Sequence, residues 1–84
     1  MTGIDSETFV LEGKRIKPGR PTLMHHITGR KLSGGDELYG FMLAILLAAT
    51  DESGQPAFDI KSVMSVDAEE AAQFSMFCKE GGFI

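Results

Sequence analysis

The segment from Leu38 to Thr50, LYGFMLAILLAAT, is apolar almost all round, and a chain that contains it must cover it on more than one side. Leu38, Phe41, Met42, Ile45, Leu46 and Ala49 recur at spacings of three and four, which line one stripe of a helix, and Leu43 and Leu47 widen it. Asp36 can accept hydrogen bonds from the first free amides, so the helix is expected over 36–50. It is too short to cross a bilayer, which takes roughly 20 apolar residues. The cover must be protein. A chain of 84 residues makes one domain, 1–84, with a small core, so a partner or a second copy is expected to supply part of the cover.

Ahead of this helix, Thr8-Phe9-Val10-Leu11 is rich in strand formers, Glu12-Gly13-Lys14 signals a turn, and Arg15-Ile16-Lys17 alternates polar and apolar. These residues read as a hairpin. Pro18-Gly19-Arg20-Pro21 then punctuates the chain, and Thr22 to Thr28 reads as a third extended run with Leu23, His25 and Ile27 on one face. Gly29 and Ser33-Gly34-Gly35 break the pattern. Residues 8–28 are therefore expected to form a small antiparallel meander, preceded by a flexible 1–7.

Beyond the long helix, Asp51-Glu52-Ser53-Gly54-Gln55-Pro56 is a polar loop, and Asp59 can cap a short helix over 59–65. The last helix, 67–80, has a plainer start. Asp67 and Glu70 have capping-box spacing, Val66 can staple to Ala71, and Gly81-Gly82 stops the helix after Lys79. The expected fold class is α+β: a small N-terminal antiparallel β meander followed by two or three helices.

The net charge of −4 is unevenly spread. Residues 1–35 carry six Lys or Arg against three acids, and residues 36–84 carry two Lys against nine acids. The basic part has almost no aromatic residues among its cations for base stacking, and the acidic part repels phosphate, so nucleic acid is not expected as a partner. The first residues lack the basic and long apolar regions of a secretory signal, and no membrane association is expected. Cys78 has no second cysteine with which to form a disulfide or a zinc pair, which fits a reducing cytoplasm.

Residues that bear chemistry lead nowhere convergent. His25 and His26 are adjacent and, on a strand, would point to opposite faces, so they cannot share a metal. Asp51-Glu52-Ser53-Gly54 lacks the bidentate Glu of a calcium loop, since Ser62 stands at that position. Ser33-Gly34-Gly35-Asp36 lacks a phosphate-loop lysine and already carries negative charge. Cys78 sits on an apolar stripe with Phe74 and reads as an inert thiol. No catalytic, cofactor or metal residue is expected, and the chain is expected not to be an enzyme.

What remains is apolar surplus. Phe41, Met42, Ile45, Phe74, Phe77, Phe83 and Ile84 are the candidate protein-binding residues, with Met64 and Met76 as adaptable neighbours.

The order of parts resembles the short tail assembly chaperones of contractile-tailed bacteriophages and prophages. The β segment with its Gly turn (Phe9 to Ile16) leads into Thr-Gly-Arg-x-Leu-x-Gly-Gly-Asp-Glu-Leu (Thr28 to Leu38), similar to the family's Arg-Pro-Thr-Gly-x-Asp-Leu segment. An apolar helix follows, then Phe58-Asp59-Ile60, Val66-Asp67 and a closing Gly82-Phe83-Ile84 similar to the family's Gly-Phe-Phe or Gly-Phe-Leu end. Ile27 stands where the family has proline. The resemblance implies a non-enzymatic protein that binds the tape measure protein, or the tail tube protein, in the host bacterial cytoplasm and keeps it soluble. It also implies a longer product made by frameshifting. The competing expectation is a small acidic regulatory or inhibitory protein of mobile-element origin whose carboxylates, from Asp51 to Glu80, occupy a basic partner.

Overall fold

A computed structural model of the chain describes residues 8–82; the expectations for 1–7, Phe83 and Ile84 lie outside the described residues. The fold is α+β, with a two-stranded antiparallel sheet at the N-terminal end followed by helices.

β1 (Phe9–Leu11) and β2 (Lys14–Ile16) pair in the register Phe9 with Ile16, Val10 with Arg15 and Leu11 with Lys14. The two loop residues, Glu12 at φ +52° and Gly13 at φ +81°, are both left-handed, as a type I′ turn requires. Leu11 and Ile16 point inward and are fully buried, while Val10 and Arg15 face water.

A glutamate is an unusual occupant of a left-handed position, and two hydrogen bonds hold it there. The Glu12 N–H donates to Glu70 Oε1 at 3.0 Å, and the Asp67 N–H donates to Glu12 Oε2 at 3.1 Å. The capping box expected within α4 (Ala68–Glu80) is therefore completed by another part of the chain. Asp67 caps the Glu69 and Glu70 amides at 3.1 and 3.2 Å, but its own N–H goes to Glu12. The same bonds that start α4 fasten the hairpin to it.

The third strand is corrected. Thr22 to Thr28 does not extend; it opens a helix, α1 (Leu23–Leu32), so the β segment is a hairpin and not a three-stranded meander. Thr22 is the N-cap, and His25 supplies the reciprocal half of its box, accepting the Thr22 N–H at Nδ1 over 2.9 Å. Gly29 does not break this helix. It lies where α1 meets α2 (Glu37–Ala48), and an added Cβ would collide with the Gly40 carbonyl oxygen and lie 3.0 Å from Ala44 N. Extended pairing is instead supplied by Lys17 with Thr50, through bonds of 2.8 and 3.0 Å, and by Thr50 with Pro56.

The remaining boundaries follow the caps. Asp36 accepts from Tyr39 N at 2.8 Å and starts α2, which ends at Ala48 because Ala49 turns extended towards the Lys17 pairing. Asp59 and Ser62 form a box around the one-turn α3 (Ile60–Val63). The core gathers Leu11 and Ile16 from the hairpin, Leu43, Ile45 and Leu46 from α2, Val63, and Phe74 with Cys78 from α4. Phe9 extends it, with its ring 5.4 Å from Phe74 and 5.2 Å from Phe77.

Two outcomes are expected. Replacing Gly29 by Ala should lower stability by about 1–3 kcal/mol in denaturant unfolding, although Ala is the better helix former, because the backbone of α2 leaves no room for a methyl group. An unchanged midpoint would mean that the helices separate freely. Cys78 is fully buried, and desolvation pushes its thiol up to about 11. A thiol reagent at about pH 8 should therefore label it only at the rate of unfolding, and fast labelling of native protein would contradict this core.

Candidate protein-binding surfaces

Among the described residues no group of three or more His, Cys, Asp or Glu side chains comes together to hold a metal ion. The two histidines are committed to local contacts. His25 Nδ1 is taken up in the α1 cap, and the His26 ring stacks on Phe41 with centroids 5.8 Å apart and planes 14° from parallel. Asp51 accepts from the Ser53 hydroxyl at 2.7 Å and the Gln55 N–H at 3.0 Å, bonds that hold its carboxyl below the usual range and order the 51–55 loop. Asp59 is lowered in the same way by the Ser62 N–H. These carboxylates are turn and cap groups.

The apolar surface is more distinctive. Leu23, Met24, Leu38, Ile60 and Met76 are each more than half exposed, as are Tyr39 and Met64. Four of them, Tyr39, Met64, Met24 and Ile60, line two depressions. Tyr39, Met42 and Leu46 on α2 form one wall of an apolar groove of about 320 Å³, and Met64, Val66 and Ala71 form the other. The groove exists because α3 is a single turn. Val63 is its only buried residue and reaches the core, whereas Met64 remains at the rim, 53% exposed.

A second, shallower depression of about 800 Å³ lies on the α1 side, with Met24 and Thr28 facing Pro56 and Ile60 across Leu47. His26, Arg30, Asp36, Glu37 and Phe41 line a smaller notch of about 210 Å³ between α1 and the start of α2.

The candidate residues divide accordingly. Met42 lines the groove, and Phe41 is 39% exposed on the far side of the same helix turn. Phe77 is half-buried against Phe9. Ile45 and Phe74 are corrected: both are fully buried, so they hold the core and offer a partner nothing. Phe83 and Ile84 lie outside the described residues. Sequence reasoning missed Leu23, Met24, Ile27 and Tyr39. The signal for the first three was present, since Leu23 and Ile27 are one helical turn apart, but the same spacing also fits alternate positions of a strand.

None of the described helices is long and apolar enough to cross a membrane. Comparison of the chain with protein-family models, with curated proteins and with solved structures gave no match.

Proposed function

We propose that this protein is a non-enzymatic binding domain that shields an apolar helical segment of another protein, acting as a phage or prophage tail assembly chaperone in the bacterial cytoplasm. The observation that carries the reading is the groove between α2 and the α3–α4 side, whose apolar lining is open to solvent at Tyr39, Met42 and Met64. An amphipathic helix fits such a groove with side chains at i, i+3 and i+4. Methionines on both walls suit a partner with many similar segments, because a flexible thioether adapts to different side chains. A tape measure protein, long and helical, is a partner of that kind, with the tail tube protein as the other candidate. The resemblance in the order of the chain's parts supports this identity; the exposed groove supports the mode of binding.

The acidic inhibitor reading places binding on the carboxylates and not on the groove. Coexpression with a candidate tape measure protein separates the two. Met64→Asp should reduce soluble complex by about 1–3 kcal/mol in affinity while the free protein unfolds at an unchanged temperature, because Met64 is a rim residue. Asp51→Ser together with Glu52→Ser should leave the complex intact, and rising salt should weaken it little. The opposite pattern, with loss on changing the acids and none at Met64, would transfer the function to the acidic surface.

A further inference from the structure

The outer face of α1 has no role in holding the fold. Gly29 is the only buried residue of its ten, yet Leu23 is 76%, Met24 66% and Ile27 44% exposed. The helix is nevertheless ordered at both ends, by the Thr22–His25 box and by Ser33, whose N–H donates to the Gly29 carbonyl at 3.0 Å. Leu23 and Ile27, one turn apart, make a fixed apolar ridge with Met24 beside it.

Arg30 and Lys31 stand one turn further along, and both are exposed. Among the described residues neither has a carboxylate within ion-pair distance; the pair that forms is Arg15 with Glu52 at 4.0 Å. From Gly13 to Gly35 the chain carries no acid at all, whereas residues 36–84 carry nine. An apolar ridge bordered by two exposed cations, of which Arg30 shares its notch with Asp36 and Glu37, is thus set into a chain of net charge −4.

We propose that this face binds an acidic amphipathic helix of a partner protein. The partner's apolar stripe would cover Leu23, Met24 and Ile27, and its carboxylates would meet Arg30 and Lys31. The proposal rests on the reading that the protein holds helical segments, and it adds a second site with a stated charge preference. A second copy of this chain is a poorer occupant. Its acid-rich helix, α4, turns its apolar stripe of Ala71, Phe74 and Cys78 into its own core. Nucleic acid would satisfy the cations but leave the ridge uncovered. An anionic bilayer would meet Asp36 and Glu37, which share the notch beside Arg30, whereas a helix about 10 Å wide can lie along the ridge and pass them by.

The test uses the full chain and two fluorescein-labelled helical peptides with the same leucine stripe, flanked in one by glutamates and in the other by lysines. Anisotropy titrations should give at least about tenfold tighter binding of the glutamate peptide, weakening as salt rises. Arg30→Glu with Lys31→Glu should reverse the preference, and Ile27→Asp should weaken both peptides by about tenfold or more, with thermal unfolding of each variant confirming the fold. Equal affinity for the two peptides, or indifference to the Arg30 and Lys31 changes, would overturn the proposal. So would two other results: binding to phosphatidylglycerol vesicles without peptide discrimination, or a sedimenting dimer abolished by Ile27→Asp. The groove reading is tested separately. If the peptides fail here while Met64→Asp still loses the tape measure complex, only the α1 site is wrong. If the peptides behave as expected while Met64→Asp leaves that complex intact, only the groove is.

Discussion

The contact between Gly29 of α1 and the Gly40 carbonyl of α2 sets the position of nearly everything else. Two helices carrying ordinary side chains keep their axes 8–10 Å apart. Here there is no Cβ at Gly29 or Gly40, and Ala44 follows one turn later, so the backbones meet directly. Gly19 makes a comparable approach to the Ala48 carbonyl at the other end of α2. The apolar α2 is thereby covered on its α1 side by backbone and small residues. Its remaining faces are left for the hairpin, α3 and α4. This close seat also explains the exposed ridge, because a helix that contacts its neighbour through glycine turns its large side chains elsewhere.

The opposite side of the molecule is joined by polar bonds of a different kind. Glu12 is far in sequence from Asp67 and Glu70, yet each of the three uses a backbone or carboxylate group to satisfy another's cap or turn. The exchange is reciprocal: Glu70 accepts the N–H of the left-handed turn residue Glu12, and Glu12 in turn accepts the Asp67 N–H and so supplies the missing arm of the helix cap. It places the hairpin over α4, so that Leu11, Ile16 and Phe9 reach Phe74. Polar groups at this junction remain near solvent, where each bond contributes about 0.5–1.5 kcal/mol and none is buried unpaired.

Features governed by local bonding were legible in the sequence. Asp36, Asp59 and Asp67 each cap a helix as their positions suggested, because an N-cap depends on a side chain and amides two or three residues away. The hairpin with its Glu12-Gly13 turn is likewise local. α1 was not legible, because Leu23, His25 and Ile27 alternate as on a strand while the four-residue spacing of Leu23 and Ile27 also fits a helix, and Gly29 reads as a helix breaker until Gly40 is placed against it. The site was legible only in part for a related reason. A helix apolar nearly all round does not say which part of its stripe will be covered, and Met42 and Ile45, three residues apart on that stripe, look equivalent in the sequence. They differ only in the folded chain, where Ile45 is fully buried and Met42 lines the groove. Glu70 illustrates the same limit: its spacing from Asp67 signals a cap, but nothing nearby reveals that Glu12 takes the other half.

The division of residue sizes leaves apolar surface that the described chain does not cover itself. At the α1–α2 contact the chain places its smallest residues inside, while Leu23, Met24, Ile27, Leu38 and Tyr39 face water. A monomer selected for its own stability gains by the reverse arrangement, since each large side chain brought out of water contributes about 1.5–3 kcal/mol. The ridge cannot be turned inward here, because any rotation of α1 that buries Leu23 or Ile27 removes Gly29 from the one place where the backbones can touch. The groove cannot close either, because α3 has a single turn and spends its one buried residue, Val63, on the core. Both apolar surfaces are therefore built into the packing and are not accidents of side-chain conformation. Under the proposed function, a partner covering them would supply burial that this backbone arrangement denies to the chain alone.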